Sequence, residues 1–275
     1  MYPPYPSGVG RPVAKALFPT KNIPTLKKKL PKNLIIRVYG LAGVGKGSLS
    51  FGLAKLLDIP HLEISYILRA ITYIFERYNM PMTHENIRLA FIKLGVFIDA
   101  NHVLQLQYAG ALLDRSDLKN SAIDIHIAKY SADNVVRHYY NHYVSQFLQQ
   151  YTSSPIVLDS RGAMPPYLEN AIKNGKDIIQ FLVLSSETVT FERYYTAKVV
   201  EMHHLNPHFH PTQATRQLIH DQFEQDVLMR NESDIVMIIS HKIGLIAPDS
   251  YLIDSSQMSI DEMIGGALTT LDSLY

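Results

Sequence analysis

Residues 40–48 read Gly-Leu-Ala-Gly-Val-Gly-Lys-Gly-Ser, and this run has the residue types and the spacing needed to hold phosphate. Gly40, Gly43, Gly45 and Gly47 let the backbone turn tightly and aim its N–H groups inward, which makes an anion-binding concavity. A helix that starts at the end of the loop adds the partial positive charge of its N-terminus. Lys46 supplies a mobile full charge that reaches β- and γ-phosphates, and the Ser48 hydroxyl falls beside the metal that travels with them. The pattern predicts a nucleoside-triphosphate site made of Gly40, Gly43, Val44, Gly45, Lys46, Gly47 and Ser48, with Mg2+ accompanying ATP. A plain glycine-rich turn is the alternative, and it explains neither the lysine nor the hydroxyl at those places.

Such a loop must leave a strand and enter a helix. Residues 34–39, Leu-Ile-Ile-Arg-Val-Tyr, form a short apolar run rich in β-branched residues that reads as a buried strand. After the loop, Leu49, Leu53, Ala54, Leu56 and Leu57 fall on one side of a helical wheel. Helical periodicity continues over 66–78, 84–98, 101–113 and about 132–151, while strand-like runs return at 155–159, 177–184 and 250–254. Ser259 and Glu262 are spaced as a capping box at the start of a last helix. Strands separated by helices predict an α/β fold with a parallel sheet, whose ligands gather at the carboxyl ends of the strands. The mostly helical block 63–150 is expected to be a lobe inserted beside the phosphate loop. No internal repeat is visible.

Composition narrows the class. The chain has 275 residues, of which 47% are apolar, enough for a sizeable core, and a net charge of +1, which gives no support to nucleic-acid binding. It contains no cysteine, so disulfides, thiolate catalysis and cysteine-ligated zinc are excluded. No run approaches the length of a membrane span and no apolar signal core opens the chain, so the expected address is the cytoplasm, with no membrane partner. Residues 1–32 carry seven prolines, seven lysines or arginines and no acid. They are expected to be a flexible Pro-rich basic arm, ahead of a catalytic domain at 33–275. A transit peptide is the weaker reading, because serine is scarce, and Lys27-Lys28-Lys29 reads as a solvated charge run.

Phosphoryl transfer needs a second set of cations to hold the acceptor in line and offset transition-state charge. Arginine suits that task, since its planar fork meets phosphate oxygens in pairs. Three arginines stand where the elements require them. Arg69 lies on the first helix of the lobe, Arg137 near the start of its last helix, and Arg161 just past the strand that ends at Asp159. Each alone would read as a surface arginine.

Together with their spacing they resemble the cytidylate kinases, which pass phosphate from ATP to CMP or dCMP, and the likeness runs from about Asn33 to the C-terminus. The loop has the family's Gly-x-x-Gly-x-Gly-Lys-Gly-Ser/Thr form. His61-Leu62-Glu63-Ile64-Ser65-Tyr66-Ile67-Leu68-Arg69-Ala70 is similar to the family's Tyr-Leu-Asp-Thr/Ser-Gly-x-x-Tyr-Arg-Ala, and the stretch from Ala128 ends, as in the family, in Val-Arg at Arg137. Asp159-Ser160-Arg161-Gly162 resembles acid-Gly-Arg-Asp, and Arg230-Asn231-Glu232-Ser233-Asp234 resembles Arg-Asp-x-x-Asp. The segment 247–260 follows the family's closing pattern. The resemblance implies a P-loop three-layer kinase fold, an acceptor-binding lobe at 63–150 and a mobile lid at 188–212. It implies Lys46, Arg161 and Arg193 as catalytic residues, Arg69, Arg137, Arg161 and Asp234 on a small phosphorylated acceptor, and Ser48 and Asp159 at the metal.

The departures bear on the acceptor. Ile64 replaces a hydroxyl residue, Ala128 a serine and Gly162 an aspartate, and each change removes a hydrogen-bonding group where the family reads cytosine and sugar. Met237 replaces the arginine of the sugar-binding box, and Arg193 is the lone arginine kept in the lid. A kinase for another small acceptor, or a nucleotide-binding relative with little activity, are therefore the alternative readings. His203, His204, His208 and His210 lack ligand spacing and read as an exposed loop. His138 and His142 share one face of a helix without the glutamate of a zinc-protease motif. Tyr139, Tyr140 and Tyr143 read as packing residues rather than a base-stacking platform.

Overall fold

The computed structural model describes residues 11–151, 154–161, 165–229, 231–232, 235 and 250–275. Six parallel strands form its central sheet: β1 (Arg11–Pro12), β2 (Leu34–Tyr39), β3 (His61–Glu63), β7 (Ile156–Ser160), β8 (Asp177–Leu184) and β9 (Tyr251–Asp254), in the order β1-β9-β8-β2-β7-β3. The first long strand thus sits between β7 on one side and β8 on the other. This reversal of winding direction opens a crevice at the carboxyl end of β2, where ligands of open α/β sheets bind.

Every residue of β2 is buried, because its alternating side chains look into two cores. On one face Ile36 and Val38 pack with Leu26 of α1 (Ile23–Lys29), Leu49 and Leu53 of α2 (Lys46–Leu57), and Leu268 of α11 (Ile260–Leu274). On the other, Ile35 joins Ile67 and Ile74 of α3 (Ser65–Arg77), Leu148 of α7 (Asn134–Gln150) and Leu168 of α8 (Pro166–Lys173). The result is three layers, helix on sheet on helix. The capping box forms at Ser259 and Glu262, each side chain taking the other's backbone N–H.

Two expectations change. Residues 11–32 are not a loose arm: β1 pairs in parallel with β9, and Val13, Ile23, Leu26 and Leu30 are buried in the core shared with α2 and α11. Sparse apolar residues are enough here because the arm covers a core that already exists. Gly265 and Gly266 of α11 make room for it, since a Cβ at either would lie 2.0 Å from the Ala16 carbonyl oxygen and 2.5 Å from that of Ala14, respectively. Residues 1–10 lie outside the described residues.

The inserted lobe is also less helical than its sequence suggests. Helix α4 (His84–Lys93) stops where β4 (Leu94–Ile98) begins, and residues 101–113 form β5 (Leu104–Tyr108) and β6 (Ala111–Leu112) of a small antiparallel sheet. Leu104 and Leu106 point inward while Gln105 and Gln107 are half-buried, a period of two that outweighs the helical reading. Ala109 and Gly110, both at positive φ, close the hairpin between Tyr108 and Ala111 as a two-residue turn. Short α5 (Arg115–Leu118), then α6 (Ser121–Ala132) and α7, complete the lobe. Residues 188–212, read as the lid, make most of α9 (Glu187–Leu205) and the turn before α10 (Gln213–Phe223).

Docking of the N-terminal segment makes a direct prediction. Leu26 is fully buried, so Leu26→Ala lowers the unfolding free energy by about 2–4 kcal/mol in urea titrations. An unchanged midpoint would mean that the arm is undocked in solution.

Candidate active site

The phosphate loop leaves β2 through Gly40, at φ 147°, where a Cβ would stand 2.3 Å from the backbone oxygen of Val183 in β8. No side chain fits there. The loop ends at Gly45, which precedes α2 in a left-handed conformation (φ 97°) and so turns the chain into the helix. Lys46 opens that helix, is largely buried, and donates from Nζ to the Leu41 carbonyl at 2.7 Å, spanning the loop it belongs to. Ser48 is exposed one position past Gly47, at the helix end whose N–H groups have no partner within the helix.

Asp159 stands opposite Val38 on β2 and Glu63 on β3 in the strand register. Its side chain turns to the α2 face, where Oδ2 lies 3.4 Å from the Ser50 hydroxyl and 3.8 Å from the place a Cβ would take at Gly47. His61 Nε2 meets the same hydroxyl at 3.0 Å. Burial pushes the Asp159 carboxyl above the ordinary carboxylate range, with Lys46 and Arg161 pulling it down and Glu63 pushing it up. Burial likewise lowers the pKa of His61.

Asp159 and Ser48 offer one carboxylate and one hydroxyl, both hard oxygen donors, beside the loop. Among the described residues no three His, Asp or Glu side chains gather as a cage. This donor set fits Mg2+, which typically takes one or two carboxylates and fills its other positions with phosphate oxygens and water.

The expected acceptor arginines come from three elements: α3, α7 and the segment after β7. Arg69 of α3 donates to the Leu118 carbonyl at 2.9 Å, and Arg137 of α7 donates from Nε to the Ser131 carbonyl at 2.6 Å. Arg161 follows β7 directly, and its charge is felt by both Asp159 and the half-buried Tyr140 of α7. Arg193 of α9 lies beside the loop: its guanidinium donates to the Ser255 hydroxyl at 2.9 Å and to the Ser255 carbonyl at 2.6 Å. Ser255 in turn donates to the Val44 carbonyl at 2.7 Å. Ile64 is buried just before α3, and Ala128 lies on α6. Gly162, Arg230, Asp234 and Met237 lie outside the described residues.

The remaining sequence candidates separate from the site. His203 packs against Phe209 and His208 and His210 are exposed beyond α9. His138 meets the ring of Tyr139, and Tyr139, Tyr140 and Tyr143 pack on the lobe core. No helix among the described residues is long and apolar enough to cross a membrane.

Several residues that matter here escape the motif reading. Arg37 of β2 is fully buried, donating to the Ser160 hydroxyl at 2.8 Å and the Gln180 amide oxygen at 2.6 Å, with its guanidinium 4.1 Å from the Tyr39 ring centre. Burial lowers its pKa to about 10. Ser160 also bonds Tyr167, which bonds Tyr140, so a polar chain runs from the sheet interior to the lobe helix that carries Arg137. Glu63 pairs with Arg115 at 2.5 Å, and that guanidinium lies 4.3 Å from the Tyr66 ring centre. The sequence signal for Arg37 is a single charge inside an apolar strand. For Arg115 there is none, since its partner is remote in the chain.

A family model described as Cytidylate kinase matches residues 36–273. None of the curated proteins matches the sequence. Among solved structures, a gluconokinase from Sinorhizobium meliloti is 19% identical, with 89% of this chain and 95% of that chain covered at a TM-score of 0.38. A shikimate kinase from Aquifex aeolicus is 11% identical, with 87% and 97% covered and a TM-score of 0.38. A protein from Eubacterium ventriosum is 10% identical, with 88% and 99% covered and a TM-score of 0.42.

The raised pKa of Asp159 gives a signed prediction. The native state holds this proton more tightly than the unfolded chain, so the carboxylate detracts from stability above its folded pKa, and the deficit vanishes below the unfolded value, about 3.9. Asp159→Asn therefore raises the thermal midpoint of the metal-free protein at pH 7, and the gain shrinks as the pH falls through the folded pKa. A lowered midpoint at pH 7 would contradict the burial argument.

Proposed function

Because the chain belongs to the cytidylate kinase family, we propose that it transfers the γ-phosphoryl group of ATP to a nucleoside monophosphate of the CMP or dCMP type. Family and fold already make it a kinase-type phosphotransferase that uses a nucleotide; the acceptor is our inference. One observation carries the reading: the loop 40–48, with Lys46 at its end, opens beside Asp159 at the carboxyl edge of two neighbouring parallel strands.

In this reading the loop amides and Lys46 hold the β- and γ-phosphates of the donor. Asp159 and Ser48 hold Mg2+, which when bound neutralises charge on those phosphates. Arg69, Arg137 and Arg161, with Asp234, hold the acceptor monophosphate. One of the acceptor's phosphate oxygens attacks the γ-phosphorus, and the bond to the β,γ-bridging oxygen breaks, releasing ADP. Arg193, beside Gly45, and Arg161, beside Asp159, flank the region through which the phosphoryl group passes and offset its developing charge. Lys46 needs only to exchange the Leu41 carbonyl for a phosphate oxygen, a short swing from a position already on the loop.

In this reading Ile64, buried just before α3, offers no side-chain hydrogen bond where the family reads the base. A site with fewer hydrogen-bonding groups discriminates less between bases, so activity is expected on more than one pyrimidine monophosphate.

A coupled ADP-release assay across CMP, dCMP, UMP, AMP and GMP tests this. The expected result is turnover with a pyrimidine monophosphate that falls by about 10²-fold or more in Lys46→Ala, the scale of losing one electrostatic stabiliser. Undiminished turnover in that variant, or ATP binding without release of ADP for any acceptor, would overturn the reading.

A further inference from the structure

Three consecutive residues of the phosphate loop are gripped by the last third of the chain. The N–H of Ala42 donates to Asn231 Oδ1 at 2.8 Å, and the Ala42 carbonyl accepts from Asn231 Nδ2 at 3.5 Å. Gly43 lies so close to α9 that a Cβ there would stand 2.5 Å from Thr190 Cγ2. The Val44 carbonyl is held by Ser255, itself held by Arg193. Ala42 is further packed with Phe223 and Val227. Asn231 is 3% exposed, so its amide is committed to this contact and is no surface group.

A side-chain amide presents one acceptor and two donors in a plane. By meeting both main-chain groups of Ala42, Asn231 sets the rotation of that residue, and the direction of each following N–H depends on it. We propose that Asn231 is a positioning residue for the donor site, one that fixes the first turn of the loop so that the amides of residues 43–47 already face the phosphates before nucleotide arrives. The inference rests on the reading that this loop holds the phosphates of ATP. Ordering a loop on binding subtracts from affinity, and a loop ordered in advance avoids that loss. The Ala42 N–H faces Asn231, leaving the later amides to the ligand.

A purely structural role and a positioning role separate in experiment. Titration calorimetry with Mg·ATP is performed on the full chain, on Asn231→Ala and on Leu271→Ala, whose buried side chain lies in α11 and not in the loop machinery. Hydrogen exchange of the amides of residues 42–47 is followed in the same three proteins without nucleotide. The expected result is an ATP dissociation constant raised roughly tenfold in Asn231→Ala, the equilibrium factor of one buried hydrogen bond, with faster exchange of the loop amides. In Leu271→Ala both quantities stay near wild type although its thermal midpoint falls. An Asn231→Ala protein that binds ATP within twofold of wild type with unchanged loop exchange would overturn the proposal. Should that variant fail to fold, the wild type still decides: an Ala42 amide that exchanges as fast as an exposed one overturns it, and a protected one supports it. A wild-type chain that fails to bind ATP overturns the proposed function instead.

Discussion

No side chain fits at Gly40, and the whole site follows from that constraint. The backbone oxygen of Val183 occupies the space a Cβ would need, 2.3 Å away, because β2 and β8 run side by side up to the point where the loop departs. The chain can leave the sheet here only through glycine, and it leaves at the place where winding reverses between β7 and β8. Three charged groups gather around that departure. Lys46 returns over the loop, Asp159 stands on the adjacent strand, and Arg193 reaches in from α9.

Strand alternation then keeps opposite charges apart. Asp159 and Ser160 are neighbours in sequence, yet they serve different faces of the sheet. Asp159 looks toward α2 and the loop, where cations lower the cost of its burial. Ser160 looks the other way and takes a hydrogen bond from Arg37. A buried guanidinium without full hydrogen bonding would be strongly destabilising; here Ser160, Gln180 and the face of Tyr39 surround it. Had Arg37 shared the face of Asp159, the two would pair with each other and the carboxylate would be unavailable to a metal. The polar chain from Arg37 through Ser160 and Tyr167 to Tyr140 also ties the sheet beside Asp159 to α7.

Much of this was legible in the sequence where local rules apply. Loop residues 40–48 combine turn chemistry and charge in one short run, and β8 and the capping box of α11 are set by neighbouring residues alone. The reading failed where a distant partner decides. The arm at 11–32 looks too polar to fold, and it does so only because β9 and the glycines of α11 receive it. The hairpin at 104–112 has leucines at a spacing that a helix can also use, and its two-residue turn at Ala109 and Gly110 was the missed cue. Arg115 and Asn231 act through contacts with Glu63 and Ala42, remote in the chain, which no spacing rule reveals. The departures at Ile64, Ala128 and Gly162 were visible at once, but their consequence depends on the acceptor.

The central claim is transfer from the loop-bound donor to a phosphorylated acceptor, and phosphorus NMR observes that transfer without a coupling enzyme. With Mg·ATP and CMP present, the account predicts that the CMP resonance declines as the two resonances of CDP grow, in step with conversion of ATP to ADP. Formation of ADP and inorganic phosphate with the resonances of CMP and the other monophosphates unchanged would contradict it.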